Sequence, residues 1–224
     1  MPGISQDQIQ SYDYLFNESF NENHLLILGI NNKSEVNDQV KYYNSLSVYD
    51  HNLNLLNYYN KINLVPFGEF LPMEGLLKKI GFRSLTNNYQ SYSKGQKREI
   101  IELNQNNFSI KFLPLICYEI IYSGKLYKNH DFDIIVNISE DGWFGQSIGP
   151  EQHFVHSIFR AIESGKYIIR SANNGIAAIV NPVGIVEEKI NFKEVGYINF
   201  TKMRKIQPTI FSKSGNKIFG LIIL

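Results

Sequence analysis

One cysteine, Cys117, stands where an apolar run gives way to polar residues. The run Ile110–Ile116 has the composition of a buried strand, and Tyr118 and Glu119 follow the cysteine directly. A thiol at the end of a strand is lifted out of the core, and the positive end of a following helix favours its thiolate form. The pattern predicts a thiol nucleophile, although a lone cysteine is often a small buried apolar residue.

A second segment, Tyr59 to Pro72, places a lysine and a glutamate among apolar residues. The ammonium of Lys61 is suited to hold a neighbouring thiol as thiolate and to stabilise the oxyanion of a tetrahedral intermediate. The carboxylate of Glu69 is suited to move a proton. Both residues also allow an ordinary interpretation as solvated positions on a strand face. Lys61 and Glu69 join Cys117 as candidate catalytic residues.

A third segment follows the apolar run Ile134–Ile138 and contains Trp143, the only tryptophan. A polar loop punctuated by glycine at the end of a strand is typical of a wall that faces a substrate. We therefore expect Trp143 to belong to a wall that faces a substrate. The alternative for Trp143 is a cap on the core.

Composition and charge exclude several classes of function. The 224 residues are 43% hydrophobic, which suits one α/β domain with a sizeable core. A net charge of +1 gives no field that would attract nucleic acid. One cysteine excludes an internal disulfide framework and a cysteine-based zinc cluster. His153 and His156 lack a third ligand at a suitable spacing, so no metal is predicted.

The elements that must position these residues are short apolar runs between turn signals. Strands are predicted at Leu25–Leu28, Leu46–Tyr49, Ile110–Ile116, Ile134–Ile138, Tyr167–Ile169 and Ile176–Val180. Helices are predicted at Met73–Ile80, Ile121–Asn129 and Glu151–Ser164. Gly184–Glu188 is expected to form a hairpin with Ile176–Val180. Strands interleaved with helices predict a layered α/β fold.

Together these segments resemble the nitrilase superfamily and, within it, the apolipoprotein N-acyltransferase family. The motifs that carry the resemblance are Tyr59-Asn60-Lys61, Leu64 to Pro72, Ile116 to Glu119, Asp141 to Gly145, Gly149-Pro150, Gln152-His153, Arg160-Ala161, Glu163, Arg170 and Asn173-Asn174-Gly175. They cover the chain from about Leu25 to Gly215. The Pro-Phe-Gly-Glu-Phe segment and the Trp-Phe-Gly loop point to the acyltransferase branch.

The resemblance implies a four-layer α-β-β-α sandwich and a glutamate, lysine and cysteine triad. Lys61 and Cys117 match two triad positions, and Glu69 matches a further glutamate near the site. Tyr118, Glu119 and Trp143 match positions that flank the nucleophile or shape the substrate-binding pocket. The implied reaction takes an acyl group from the sn-1 ester of a phospholipid onto the cysteine. The resulting thioester then acylates the α-amino group of a diacylglyceryl-cysteine at the start of an apolipoprotein. No cofactor is implied, and the location is the periplasmic face of the bacterial inner membrane.

Three departures from the family pattern qualify these expectations. The triad glutamate normally lies in a Pro-Glu turn after the first strand, and Glu18 and Glu22 lack that context. We therefore expect a fold that is incomplete at its first strand, with a separately encoded amino-terminal membrane part as a potential partner. Glu140 replaces a usual asparagine, and an added carboxylate that faced the thiol would raise its pKa.

The third departure concerns the two ends of the chain. The start shows no signal peptide, and the apolar end, Lys217–Leu224, is much shorter than the roughly 20 residues that span a bilayer. We expect a catalytic domain over 1–201 and a peripheral tail over 202–224 that ends at the start of an unfinished apolar helix.

Three functional hypotheses follow. The first is an apolipoprotein N-acyltransferase domain, membrane-associated through the rest of the enzyme. The second is a soluble amidase of the same superfamily that acts on a small carbon-nitrogen substrate. The third is a non-catalytic remnant, which the absent glutamate favours and the retained Lys61 and Cys117 disfavour.

Overall fold

A computed structural model describes residues 3–36, 39–79, 91–105, 108–124, 126 and 130–223. The chain divides into two compact units, residues 1–98 and residues 99–224. Each unit is built around its own sheet.

The first unit contains an antiparallel sheet of order β1-β2-β3. Its strands are β1 (Leu26–Val36), β2 (Gln39–Tyr49) and β3 (Leu55–Asn60). Its described helices are a 3₁₀ helix (Ile9–Tyr12), α1 (Asp13–Asn17) and α2 (Glu74–Lys79). A buried cluster of Ile9, Ile30, Tyr49 and Leu53 joins the amino-terminal 3₁₀ helix to the sheet.

The second unit contains a six-stranded sheet of order β4-β5-β6-β7-β8-β9. Its strands are β4 (Ile101–Gln105), β5 (Phe108–Ile116), β6 (Ile134–Glu140), β7 (Tyr167–Asn173), β8 (Ala177–Val180) and β9 (Val186–Ile190). Its described helices are 3₁₀ helices at Cys117–Ile121 and Gly142–Phe144, α3 (Gly149–Ser164), α4 (Ile210–Ser214) and α5 (Lys217–Ile223). β5, β6 and β7 are parallel, so their carboxyl ends meet at one edge.

Helix α3 follows the polar loop after β6 and packs on this sheet. Pro150 lies in its first turn, where the fixed φ of proline suits a helix start. Phe154 and Ala161 enter a core that contains Leu115 of β5 and Ile135 of β6. The helix therefore holds its amino-terminal turn close to the ends of β5 and β6.

The predicted strands are confirmed, and so is the hairpin, because β8 pairs antiparallel with β9. Strands β3 and β4 were not predicted. Helix α2 matches the predicted Met73–Ile80 in the described part, and Ile80 lies outside the described residues.

The predicted helix Ile121–Asn129 is wrong over its described residues after Ile121. Helical structure starts earlier, at Cys117, as a 3₁₀ helix of five residues. It stops because Tyr122 has extended ψ and Gly124 has a φ of +65°. Residues 125 and 127–129 lie outside the described part.

The expected peripheral tail begins with contacts to α3. The backbone N–H of Ile206 donates to Gly165 O at 3.0 Å, and the N–H of Thr209 donates to Glu163 O at 3.0 Å. Beyond α4, the side chains of Leu221 and Ile222 in α5 are exposed. Among the described helices, none combines the length and apolar character required to cross a bilayer.

Candidate active site

Lys61 lies directly after β3 and is only 1% exposed. Its Nζ lies 2.7 Å from Oε2 of Glu69, which is itself buried. An ammonium loses its hydration on burial and requires a close counter-charge. The interpretation of Lys61 and Glu69 as solvated strand residues is therefore wrong, and the structure brings the two together in the first unit.

The carboxylate of Glu69 is held at both oxygens. Asn44 Nδ2 donates to Oε1 at 2.7 Å, and the N–H of Val65 donates to Oε2 at 2.9 Å beside the lysine. Burial, together with the charge of Glu69, raises the pKa of Tyr92 to about 12. These contacts hold the carboxyl group of Glu69 in one place beside Lys61.

Cys117 is the second residue of the turn Ile116–Glu119, which is called the Cys117 turn below. Its φ is +49°, a left-handed conformation that is uncommon for a residue with a side chain. The residue is partly exposed, so its interpretation as a buried apolar residue is wrong. Strained backbone of this kind concentrates at functional sites, where the surroundings hold it in place.

Glu119 lies beneath the Cys117 turn, fully buried. Its Oε2 accepts a hydrogen bond from the N–H of Ile116 at 3.0 Å, which fixes the junction between strand and turn. Tyr118 is partly exposed, and its ring meets that of Tyr122 edge-on at 5.7 Å. Glu119 supports the turn from below, and Tyr118 lies at its surface.

Trp143 belongs to the 3₁₀ helix after β6 and is 55% exposed, so the alternative of a cap on the core is wrong. Glu140, at the end of β6, accepts hydrogen bonds from Gly142 N–H at 2.8 Å and from the side-chain amides of Asn173 and Asn174 at 2.5 and 3.1 Å. The carboxylate that replaces the usual asparagine is thus engaged by its own loop and the end of β7.

A buried polar network at the same sheet edge was not predicted as part of the site. Asp141 accepts hydrogen bonds from Ser139 Oγ at 2.6 Å and Arg170 Nη2 at 2.7 Å, and its Oδ1 lies 2.8 Å from His153 Nδ1. Burial raises the pKa of Asp141, but the bond from His153, the charge of Arg170 and the bond from Ser139 outweigh it and lower that pKa overall. The network also reaches Cys117, because His153 Nε2 lies 3.2 Å from the carbonyl oxygen of that residue.

In the sequence, the only sign of this network was that polar residues such as Asp141 follow the predicted strands. It did not reveal the network, because Cys117 and His153 lie 36 residues apart in sequence and only the packing of α3 brings them together.

Comparison with known families identifies the fold. The carbon-nitrogen hydrolase family model matches residues 15–201. The chain belongs to the carbon-nitrogen hydrolase family. Its fold is accordingly the nitrilase-like α/β fold that the sequence predicted.

Solved structures agree on the fold. An amidase from Nesterenkonia sp. AN1, with the acetamide moiety of fluoroacetamide added at its active-site cysteine, aligns with a TM-score of 0.55 at 14% identity. The alignment covers 86% of this chain and 67% of the amidase. Nit3 of Saccharomyces cerevisiae aligns with a TM-score of 0.54 at 16% identity, over 85% of this chain and 69% of Nit3. At such identities the likeness shows the fold alone.

Relatives with higher identity carry one name. Apolipoprotein N-acyltransferase of Rickettsia prowazekii (strain Madrid E) is 40% identical over 194 residues, which cover 86% of this chain and 38% of that protein. The enzyme of the same name from Bradyrhizobium diazoefficiens is 40% identical over 175 residues, covering 78% of this chain and 32% of that protein. The chain thus spans about a third to two fifths of the length of these relatives.

Proposed function

We propose that this chain performs the acyl-transfer chemistry of the apolipoprotein N-acyltransferases, with Cys117 as its nucleophile. The observation that carries the proposal is the partly exposed cysteine on a left-handed turn at the end of β5. The 40% identity to the named acyltransferases favours this chemistry over the amidase alternative, whose structural relatives are only 14% identical.

The proposed reaction has two balanced steps. The thiolate of Cys117 attacks the carbonyl carbon of a phospholipid ester, a C–S bond forms, and the C–O bond to glycerol breaks. The glycerol oxygen takes up a proton and leaves as lysophospholipid. The free amine of a diacylglyceryl-cysteine then attacks the thioester carbon, loses a proton, and displaces the thiolate. Two easier steps thereby replace one difficult transfer.

The roles proposed for the other residues follow from their environments. Lys61, which pairs with Glu69 at 2.7 Å, matches the lysine of the family triad, and by that match it supplies positive charge for the oxyanion that forms in each step. Glu119 supports the Cys117 turn from below. Trp143 and Tyr118 present exposed or partly exposed aromatic surface, which suits contact with an apolar substrate.

The donor and acceptor belong to the proposal as well. A phospholipid supplies the acyl group, and a diacylglyceryl apolipoprotein receives it. A lipid donor places the reaction at a membrane, which we propose to be the periplasmic face of the bacterial inner membrane.

A transfer assay tests the proposal. The full chain is incubated with phospholipid vesicles and a synthetic diacylglyceryl-cysteinyl peptide, and the peptide is analysed by mass spectrometry. We expect one added acyl group on the peptide, none on the same peptide with an acetylated amine, and none with Cys117→Ala. Turnover of small amides by the folded chain without any peptide acylation would reject acyl transfer in favour of amidase activity.

A further inference from the structure

We infer that His153 is a positioning residue for the nucleophile, holding the Cys117 turn through a hydrogen bond from its Nε2 to the carbonyl oxygen of Cys117. The distance between these atoms is 3.2 Å, and His153 is 4% exposed. The inference rests on the proposed role of Cys117 as nucleophile and adds a residue that orients it.

The conformation of Cys117 requires such support. A left-handed φ is unfavourable for a residue with a Cβ, so it persists only where neighbouring bonds select it. Glu119 fixes the first residue of the turn by accepting a hydrogen bond from Ile116 N–H, and His153 contacts the carbonyl oxygen of Cys117 itself. The direction of a carbonyl defines the plane of its peptide group. The hydrogen bond from His153 therefore fixes the orientation of the peptide bond between Cys117 and Tyr118.

The contacts around the ring decide which nitrogen carries a proton. A carbonyl oxygen only accepts, so Nε2 must donate to Cys117. The carboxylate of Asp141, 2.8 Å from Nδ1, also only accepts. Arg170 Nη2, which only donates, lies 3.2 Å from the same Nδ1. The positioning role therefore requires only the proton on Nε2.

The ring itself is held from several sides. Asp141 is fixed by Arg170 and Ser139, and the ring of Phe144 lies 5.4 Å from the imidazole. Arg170 also donates to Ile176 O at 3.1 Å and to the side chain of Asn137.

Asn137 Nδ2 in turn donates to Leu115 O at 3.1 Å, two residues before Cys117. These hydrogen bonds therefore link β5, β6, β7 and α3, and the last of them ends at the carbonyl oxygen of Cys117. Such a closed set of bonds holds one orientation of the imidazole.

Two conservative variants separate positioning from general stability. In His153→Gln, the amide nitrogen takes the place of Nε2 and still donates to Cys117. In His153→Asn, the amide lies at the position of Nδ1 and reaches only Asp141. The readout is the rate at which iodoacetamide alkylates Cys117, followed by intact mass, because the chain contains one cysteine.

We expect His153→Gln to keep the wild-type rate within about twofold and His153→Asn to lower it about tenfold, since one hydrogen bond is lost. Circular dichroism establishes that both variants are folded. Equal alkylation rates in the two variants would overturn the positioning role.

A second measurement uses the wild-type protein and so does not depend on the stability of a variant. Long-range ¹H–¹⁵N spectra of the histidine rings in wild-type protein, assigned with His153→Gln, should show a proton on Nε2 of His153. A bare Nε2 would overturn the inference. Neither experiment uses lipid, so a failed acyl-transfer assay with the expected alkylation pattern rejects the proposed function while the positioning role stands.

Discussion

At the residue scale, the candidate chemistry depends on two unusual environments. Lys61 and Glu69 form a buried ion pair in the first unit, and Cys117 occupies a left-handed turn in the second. Residue type and sequence context alone predicted Lys61, Glu69 and Cys117 as candidate catalytic residues. Their environments could not be predicted, because the burial of Lys61 depends on Asn44 and Glu69, and the φ of Cys117 depends on bonds that form only in the folded unit.

Removing one charge of the ion pair tests the first environment. Glu69→Gln keeps the shape but leaves the ammonium of Lys61 buried beside a neutral amide, and we expect the free energy of unfolding to fall by about 3 to 5 kcal/mol. Urea unfolding measures the change. Glu35→Gln, which breaks an exposed pair with Lys33, is the matched control and should cost below about 1 kcal/mol. Similar losses in the two variants would contradict the buried-pair account.

The lowered pKa of Asp141 predicts how stability depends on pH. A carboxyl whose pKa is depressed on folding stabilises the native state above its ordinary value of 3.8, and this contribution is lost as the pH falls through the folded value. Asp141→Asn should therefore unfold much more easily than wild type at pH 7. The difference should shrink on acidification, as the pH falls through the lowered pKa of wild-type Asp141 and the carboxylate is protonated. A difference in urea midpoint that stays constant with pH would count against this assignment.

At the element scale, apolar runs predicted most strands because β5, β6, β7 and β8 are buried in one core. β3 was missed because four of its six residues are exposed and its side chains show no alternation. β4 was missed because it has only five residues after a charged stretch. The helix start at Cys117 was misplaced, since a 3₁₀ helix of five residues has no helical periodicity to recognise.

The end of α3 provides a test at this scale. Gly165 has a φ of +65°, and a Cβ there would lie 2.5 Å from Ile206 O, in the segment that binds the end of α3. Gly165→Ala should cost about 3 kcal/mol or more, from backbone strain together with overpacking. Gly75 in α2 has open space around its would-be Cβ and no left-handed φ, so Gly75→Ala should cause no loss of thermal stability. Equal losses of thermal stability would mean that the 206–209 segment does not pack on Gly165.

At the scale of the whole molecule, the family motifs identified a fold that periodicity alone could not. Periodicity indicates α/β layers, whereas the motifs around Lys61, Cys117 and Arg170 specify a carbon-nitrogen hydrolase, which the family match over residues 15–201 confirms. The proposed division between 1–201 and 202–224 stays a prediction. Lys61 and Glu69 belong to the first unit, and Cys117 belongs to the second.

The most direct test of this account is whether Cys117 takes an acyl group from a phospholipid. The full chain is incubated with vesicles of a phospholipid that bears palmitoyl chains, and its intact mass is compared with that of Cys117→Ala treated in the same way. The account predicts a palmitoyl adduct on wild type that hydroxylamine releases, as it does from a thioester, and no adduct on the variant. An unmodified wild-type chain that circular dichroism shows to be folded, or an adduct that persists in Cys117→Ala, would contradict it.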